Sequence, residues 1–173
     1  MSDPAAEFSR LVPLAGLTSG GYRQQIAAET AEREALAARF GLVALDRLSA
    51  DVVLRRQADG IILLDAAFEA AFVQSCVVTL EPVRGTLSER FTLRYGPPGT
   101  AEADATATAT AEDAVFEPLV GDFVDIGEAV AQELSLQLPP FPRLVEAAIE
   151  AGGETDRPAA FAALAERCRR TSG

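Results

Sequence analysis

Apolar and polar positions alternate over Leu87–Tyr95. Leu87, Glu89, Phe91, Leu93 and Tyr95 fall on one side, and Ser88, Arg90, Thr92 and Arg94 on the other. A period of two marks a half-buried strand with its Arg side chains on the wet face. Upstream, the run from Val52 to Arg56 leads into Ala58-Asp59-Gly60, and Ile61 to Leu64 returns. Asp-Gly between two such runs is a hairpin signal. The chain then continues extended through Phe68 and Phe72 into Gln74–Val83, an apolar, β-branched stretch with Cys76 inside it and Glu81-Pro82 at its end. Residues 42–95 therefore read as an antiparallel meander. Tyr22–Ala27 is a further strand after Ser19-Gly20-Gly21, and Phe8–Leu14 is an extended segment broken at Pro13.

The helical pattern appears in three places. Ala28–Phe40 is rich in Ala and Glu, Glu29 and Arg33 stand at pairing distance i,i+4, and Gly41 follows as a stop. Leu36 and Phe40 share its apolar face. Ile126 to about Gln137 carries a stripe of Ile126, Val130, Leu134 and Leu138, and Pro139-Pro140 closes it. After a polar linker over residues 150–158, Pro158 to about Arg169 forms a short terminal helix with Pro near its start and Arg in its last turn. Phe161, Leu164, Ala165 and Cys168 make its apolar face. Residues 99–114 are an Ala/Thr-rich low-complexity stretch, read as a mobile loop because threonine is a poor helix former. The expected fold is α+β: an antiparallel, barrel-like sheet with flanking helices, a mobile acidic loop and a short C-terminal helix. Residues 1–150 form one domain, and 151–173 add the linker and helix.

Composition narrows the chemistry. The chain of 173 residues has no Lys, His, Asn or Trp, and all 15 cations are Arg. That excludes a Ser-His-Asp triad, a Cys-His pair, a lysine Schiff base and a Walker-type P-loop. Two cysteines, at 76 and 168, form neither a disulfide framework nor a zinc site. No catalytic residue, cofactor, metal or small-molecule substrate is expected. No apolar run reaches the roughly 18–20 residues of a membrane span, and the acidic N-terminus lacks a signal pattern. The protein is expected in the cytoplasm, away from membranes.

The net charge of −11 is unevenly spread. Residues 1–95 hold 12 acids and 10 Arg, whereas residues 96–156 hold 13 acids and only Arg143. Residues 157–173 hold Glu166 and four Arg. An acidic block repels phosphates and attracts basic partners, which leaves direct RNA contact to the Arg-containing first half.

Four segments, together with the tail Arg157–Leu164, carry a family resemblance. They are Ala-Glu-x-x-Glu-Arg-x-x-Leu-Ala-x-Arg-Phe within residues 23–42, the Cys76–Pro82 segment, Asp125-Ile-Gly-Glu128, and Pro139-Pro-Phe-Pro-Arg143. In order and spacing the chain resembles the YceD-like family of large ribosomal RNA subunit accumulation proteins, in its short proteobacterial form. The resemblance implies a role in the synthesis, processing or stability of large-subunit (23S) rRNA, hence ribosome biogenesis, and carries no mechanism. Many relatives have Cys-x-x-Cys-Leu-Glu in the first motif and a cysteine-rich C-terminus. Here Thr79 replaces the second cysteine and Leu144-Val-Glu-Ala follows Arg143, so a zinc role does not transfer.

Cys76 is read as a buried structural thiol rather than a reactive one, since no His can lower its pKa. Glu81-Pro82 is either a partner-binding corner or a strand terminator. Asp125 and Glu128 are read as a capping box rather than as metal ligands with Asp122. Pro139–Arg143 is read as a rigid helix exit, with Phe141 and Arg143 the exposed partner-binding candidates if it is instead a docking peptide. The terminal helix, through Phe161 and Leu164, is expected to dock in cis rather than on a partner. The leading functional expectation is a non-enzymatic assembly factor whose acidic block, residues 102–156, holds a basic ribosomal or rRNA-maturation protein, with rRNA contacted indirectly or weakly. The next is direct RNA contact by Arg55, Arg56, Arg90 and Arg94. A Mg²⁺-dependent nuclease built on Asp122, Asp125 and Glu128 ranks last, because capping explains two of its three carboxylates.

Overall fold

Two hairpins built from three long strands dominate the structure, a computed structural model that describes residues 6–17, 20–57, 60–97, 115–119 and 121–144. In chain order the elements are β1 (Leu11–Pro13), a 3₁₀ turn (Leu14–Gly16), β2 (Tyr22–Ala27), α1 (Thr30–Phe40), β3 (Ala44–Arg56), β4 (Ile62–Ser75), β5 (Pro82–Gly96), β6 (Val115–Pro118), β7 (Phe123–Asp125) and α2 (Ile126–Gln137). The chain divides into units Met1–Arg143 and Leu144–Gly173. The 99–114 stretch and the predicted Pro158–Arg169 helix, with Phe161 and Leu164, lie outside the described residues. Among the described residues no helix is long and apolar enough to cross a membrane.

The main sheet has the order β2-β3-β4-β5-β6, and β1 pairs with β7 in a separate two-stranded sheet. All main-sheet pairings are antiparallel except β5–β6, which is parallel. The sheet does not close, which corrects the barrel-like expectation. Its edges, β2 and β6, have only six and four residues. The apolar face is covered by other elements instead. Leu48, Val52 and Leu54 of β3 and Ile62, Leu64 and Phe68 of β4 share one core with Leu36 of α1, Ile126, Val130 and Leu134 of α2, and Phe8. With that face already buried, the sheet need not curl on itself to hide it.

The local chemistry matches most of the predicted boundaries. Gly41 ends α1 in the left-handed conformation, φ 65°, where the missing Cβ removes the steric penalty. Gln57 N–H donates to Ile61 C=O at 2.8 Å across the predicted Asp-Gly turn. The predicted Glu29–Arg33 pair is not made. Arg33 donates to Ala28 C=O at 2.8 Å and Thr30 Oγ1 at 3.3 Å, because α1 starts two residues late and Glu29 sits at its N-cap.

The Cys76 segment is also not a strand. β4 stops at Ser75 and β5 starts at Pro82, opposite it. Residues 76–81 are the hairpin loop between them. Leu80 at φ 63° turns the chain, and Cys76 C=O accepts from Leu80 N–H at 2.9 Å. Local bonding outweighs the β propensity of Val77 and Val78. Pro82 therefore opens a strand, a position where its missing N–H costs no ladder bond.

The N-terminal segment is tied to α2 at the Asp-Ile-Gly-Glu motif. Asp125 caps α2, accepting from Gly127 N–H and Glu128 N–H, both at 3.1 Å. The same carboxylate accepts from Ser9 Oγ and, at 2.7 Å, from Arg10 N–H. A Cβ on Gly127 would lie 2.4 Å from Phe8 O and 3.0 Å from Arg10 N. Backbone cannot withdraw as a side chain can, so Gly127→Ala should destabilise the fold by roughly 1–3 kcal/mol, measurable by urea denaturation.

Arg10 also binds α1. Its guanidinium meets Glu32 at 2.7 and 2.9 Å, and Glu32 Oε2 accepts Glu29 N–H at 2.7 Å. The Arg10 hydrogen bond, above all, lowers the Glu32 pKa against an opposing push from burial. A lowered native pKa adds stability that is full above the unfolded value of about 4.3 and is lost as pH falls through the native value. Glu32→Gln should cost about 1–2 kcal/mol at neutral pH and flatten the acid limb of stability against pH, read by thermal unfolding across a pH series.

Candidate functional site

Two motif segments some sixty residues apart in sequence meet at one end of the sheet. Val77 N–H donates to Pro142 C=O at 3.0 Å, and Gln74 Nε2 donates to Pro139 C=O at 3.1 Å. These bonds join the Cys76 loop to the Pro-rich exit from α2. The loop is closed by Cys76 N–H to Glu81 C=O at 2.8 Å and by Ser75 Oγ to Leu80 C=O at 3.1 Å. The Cys76 thiol is buried and accepts Thr79 N–H at 3.5 Å. Thr79 Oγ1 accepts Glu81 N–H at 3.4 Å, a bracing bond within the loop.

This ordered backbone carries large apolar side chains into solvent. Leu80 is 76% exposed and Phe141 74%, and Val77 and Val78, in the same loop as Leu80, are exposed too. Leu80 is the only non-glycine residue with positive φ among the described residues. The left-handed region costs an ordinary L-residue roughly 1–2 kcal/mol, and such cost persists where surroundings over-determine it. Glu81, Pro82 and Arg143 are exposed at the same end, and Glu81 and Arg143 make no ion pair among the described residues. Sequence patterning marked Glu81, Pro82, Phe141 and Arg143 but missed Leu80, Val77 and Val78, because it placed them in a strand.

The four Arg candidates divide between two faces. Alternation along β3 and β5 puts Arg55, Arg90 and Arg94 on the sheet face away from the core. Arg56 points the other way and donates to Leu14 C=O at 2.9 Å, holding the 3₁₀ turn. Arg23 of β2 joins the outer face; its rung runs through Val53 and Asp65 to Thr92. Its signal was its alternate position in a polar strand, legible only once the β2–β3 register is known. A cavity of about 650 Å³ lies there, lined by Arg23, Arg55, Asp65 and Arg90 among others. A second, of about 600 Å³, continues it and shares Asp51, Ala67 and Arg90.

The carboxylates proposed for a metal do not converge. Four donors occupy Asp125. Glu128 grips Arg39 at 2.8 and 3.0 Å, and it does not return to the Asp125 N–H as a full capping box would; that N–H belongs to the β1–β7 pairing region. Asp122 is exposed. Among the described residues no group of three or more His, Cys, Asp or Glu could hold a metal ion.

The strain at Leu80 can be tested without knowing any partner. Leu80→Gly should raise stability by roughly 0.5–1 kcal/mol, the relieved backbone cost less the added freedom of the unfolded chain. Chemical denaturation of the two proteins measures it.

Comparison with curated proteins and with solved structures returned no match. The family model described as large ribosomal RNA subunit accumulation protein YceD matches residues 64–169. That span holds most of β4, the Cys76 loop, β5, the Asp-Ile-Gly-Glu cap and the Pro139–Arg143 exit, and it covers more than half of the chain. The chain belongs to the YceD family.

Proposed function

We propose that this protein supports the accumulation of large-subunit rRNA in the cytoplasm as a non-enzymatic factor, by holding a basic ribosomal or rRNA-maturation protein. The observation that carries this reading is the paired end of the sheet. Its backbone is locked by cross-segment hydrogen bonds, yet it offers Leu80 and Phe141 to solvent at 76% and 74% exposure. Apolar anchors on a preorganised backbone lose little entropy on binding, and such anchors dominate interface energetics.

Charge selects the kind of partner. Phe141 lies inside residues 96–156, which hold 13 acids against the single Arg143. A chain region of this sign attracts a basic protein and disfavours an acidic one. The family description, which names rRNA accumulation and no catalytic activity, supports a binding role.

The test uses the full chain as bait at low salt, beside a Leu80→Asp/Phe141→Asp double variant. Wild-type bait should recover a basic ribosomal or rRNA-processing protein. The variant should bind that protein on the order of tenfold or more weakly, and raising salt should weaken the wild-type complex. Cells carrying the variant should accumulate less 23S rRNA relative to 16S. Equal recovery by both baits, with unchanged rRNA ratios, rejects the reading.

A further inference from the structure

The outer face of the sheet holds a second feature, separate from the docking end. Three ion pairs neutralise part of it: Arg47 with Glu69 at 2.9 Å, Arg55 with Asp65 at 3.6 Å and Arg84 with Asp46 at 3.4 Å. Arg23 and Arg90 line the trough and make no ion pair among the described residues. Asp51 lies between their strands, two rungs from Arg23 and on the rung of Arg90, and makes no ion pair among the described residues. In a chain of net charge −11, two unpaired guanidinium groups in one concave site are an electrostatic exception, since most of the other described Arg side chains meet a carboxylate or a carbonyl.

The trough fits a short stretch of a linear polyanion at its first cavity, where Arg23, Arg55 and Arg90 outnumber Asp51 and Asp65. Its two cavities run on across β2 to β5 and share a floor at Ala67, where a small side chain lets a ligand backbone come close. Gln25, Ser49 and Ser88 line the second cavity together with the carboxylates Asp51, Glu69 and Glu89, so phosphate contact is confined to the first, where Thr92 adds a hydroxyl. Phe91 also lines it, but its ring packs edge-on against core residue Phe68, with centroids 6.1 Å apart. The trough therefore offers charge and hydrogen bonds without a stacking platform, which suits phosphate and sugar contacts and gives no means of reading bases.

We infer that this trough binds the phosphodiester backbone of single-stranded RNA, without sequence preference, through Arg23 and Arg90. Arg55, held by Asp65 and seated in the same cavity, adds a third positive group to the field. Asp51 in this cavity, with Glu69 and Glu89 in the next, sets an upper limit on affinity by opposing the phosphates. The site is independent of the protein-docking end, so the two can fail separately.

The probe is a fluorescein-labelled twelve-nucleotide oligouridylate, titrated with full-length protein across a salt series. Wild-type binding should weaken with salt. Arg23→Gln/Arg90→Gln should lose on the order of tenfold in affinity at low salt, and its log–log salt slope should be shallower by about 1.4, two contacts at about 0.7 each. Asp51→Asn should bind more tightly than wild type, a gain that damage to the fold cannot produce. Leu80→Asp/Phe141→Asp should bind the oligonucleotide as wild type does, which separates this site from the docking end. The inference is overturned if the wild type does not bind, if the double Arg variant binds equally well, or if Asp51→Asn does not bind more tightly. Displacement by inorganic phosphate at equal phosphate concentration also overturns it, by assigning the trough to free phosphate.

Discussion

The Asp125 carboxylate takes four hydrogen bonds, from Ser9 Oγ and from the N–H groups of Arg10, Gly127 and Glu128. One side chain thereby joins the N-terminal segment, the end of β7 and the start of α2. Charge-assisted bonds of this kind are the strong class, and each donor would otherwise be an unsatisfied backbone or hydroxyl group in a part-buried position. The axis of α2 follows from this junction, and with it the place where the chain leaves at Pro139. That exit meets the Cys76 loop through two hydrogen bonds. The arrangement of the end that exposes Leu80 and Phe141 is therefore set at the opposite end of α2.

Two Arg side chains help to hold this frame. Arg10 binds Glu32, and Arg39 binds both Glu7 and Glu128. Arg39 reaches from the last turn of α1 to the first turn of α2, so one guanidinium links both helices and the N-terminal segment. Its pKa rises further above its already high ordinary value, chiefly through the Glu128 hydrogen bond, so the link holds its charge at every physiological pH. In the same way burial raises the Tyr95 pKa, keeping that phenol neutral beside the core.

Much of this fold was legible because its periodicities are long and clean. The stripe Ile126, Val130, Leu134 located α2 to the residue, and the alternation over Leu87–Tyr95 located β5 and the outward face of Arg90 and Arg94. The Asp-Gly signal marked where β3 turns back into β4, but not the register: Arg56 pairs with Ile62, so the connection spans residues 57–61 rather than the two of an Asp-Gly hairpin. The sequence misled where a few local bonds beat propensity. Val77 and Val78 favour strands, but a left-handed Leu80 and the Cys76 carbonyl made a loop of them. Sheet closure was not legible, since it depends on whether helices cover the apolar face. Arg56 was misassigned for a simple reason: adjacent strand residues face opposite ways, so Arg55 and Arg56 could never share one surface. Arg23 was missed because its neighbours across β2–β3 are fixed by tertiary register alone.

The pairing of β1 with β7 has a consequence in time. Leu11 lies opposite Asp125, so β1 finds its partner strand only after more than a hundred further residues are made. Contacts between such distant segments form late and slow the final step of folding. Until then Phe8 and the apolar side of α2 remain uncovered, and α2 cannot direct its Pro-rich exit onto the Cys76 loop. The two ends of α2 thus become ordered together, once the segment around Phe8 has come back to meet residues made more than a hundred positions later.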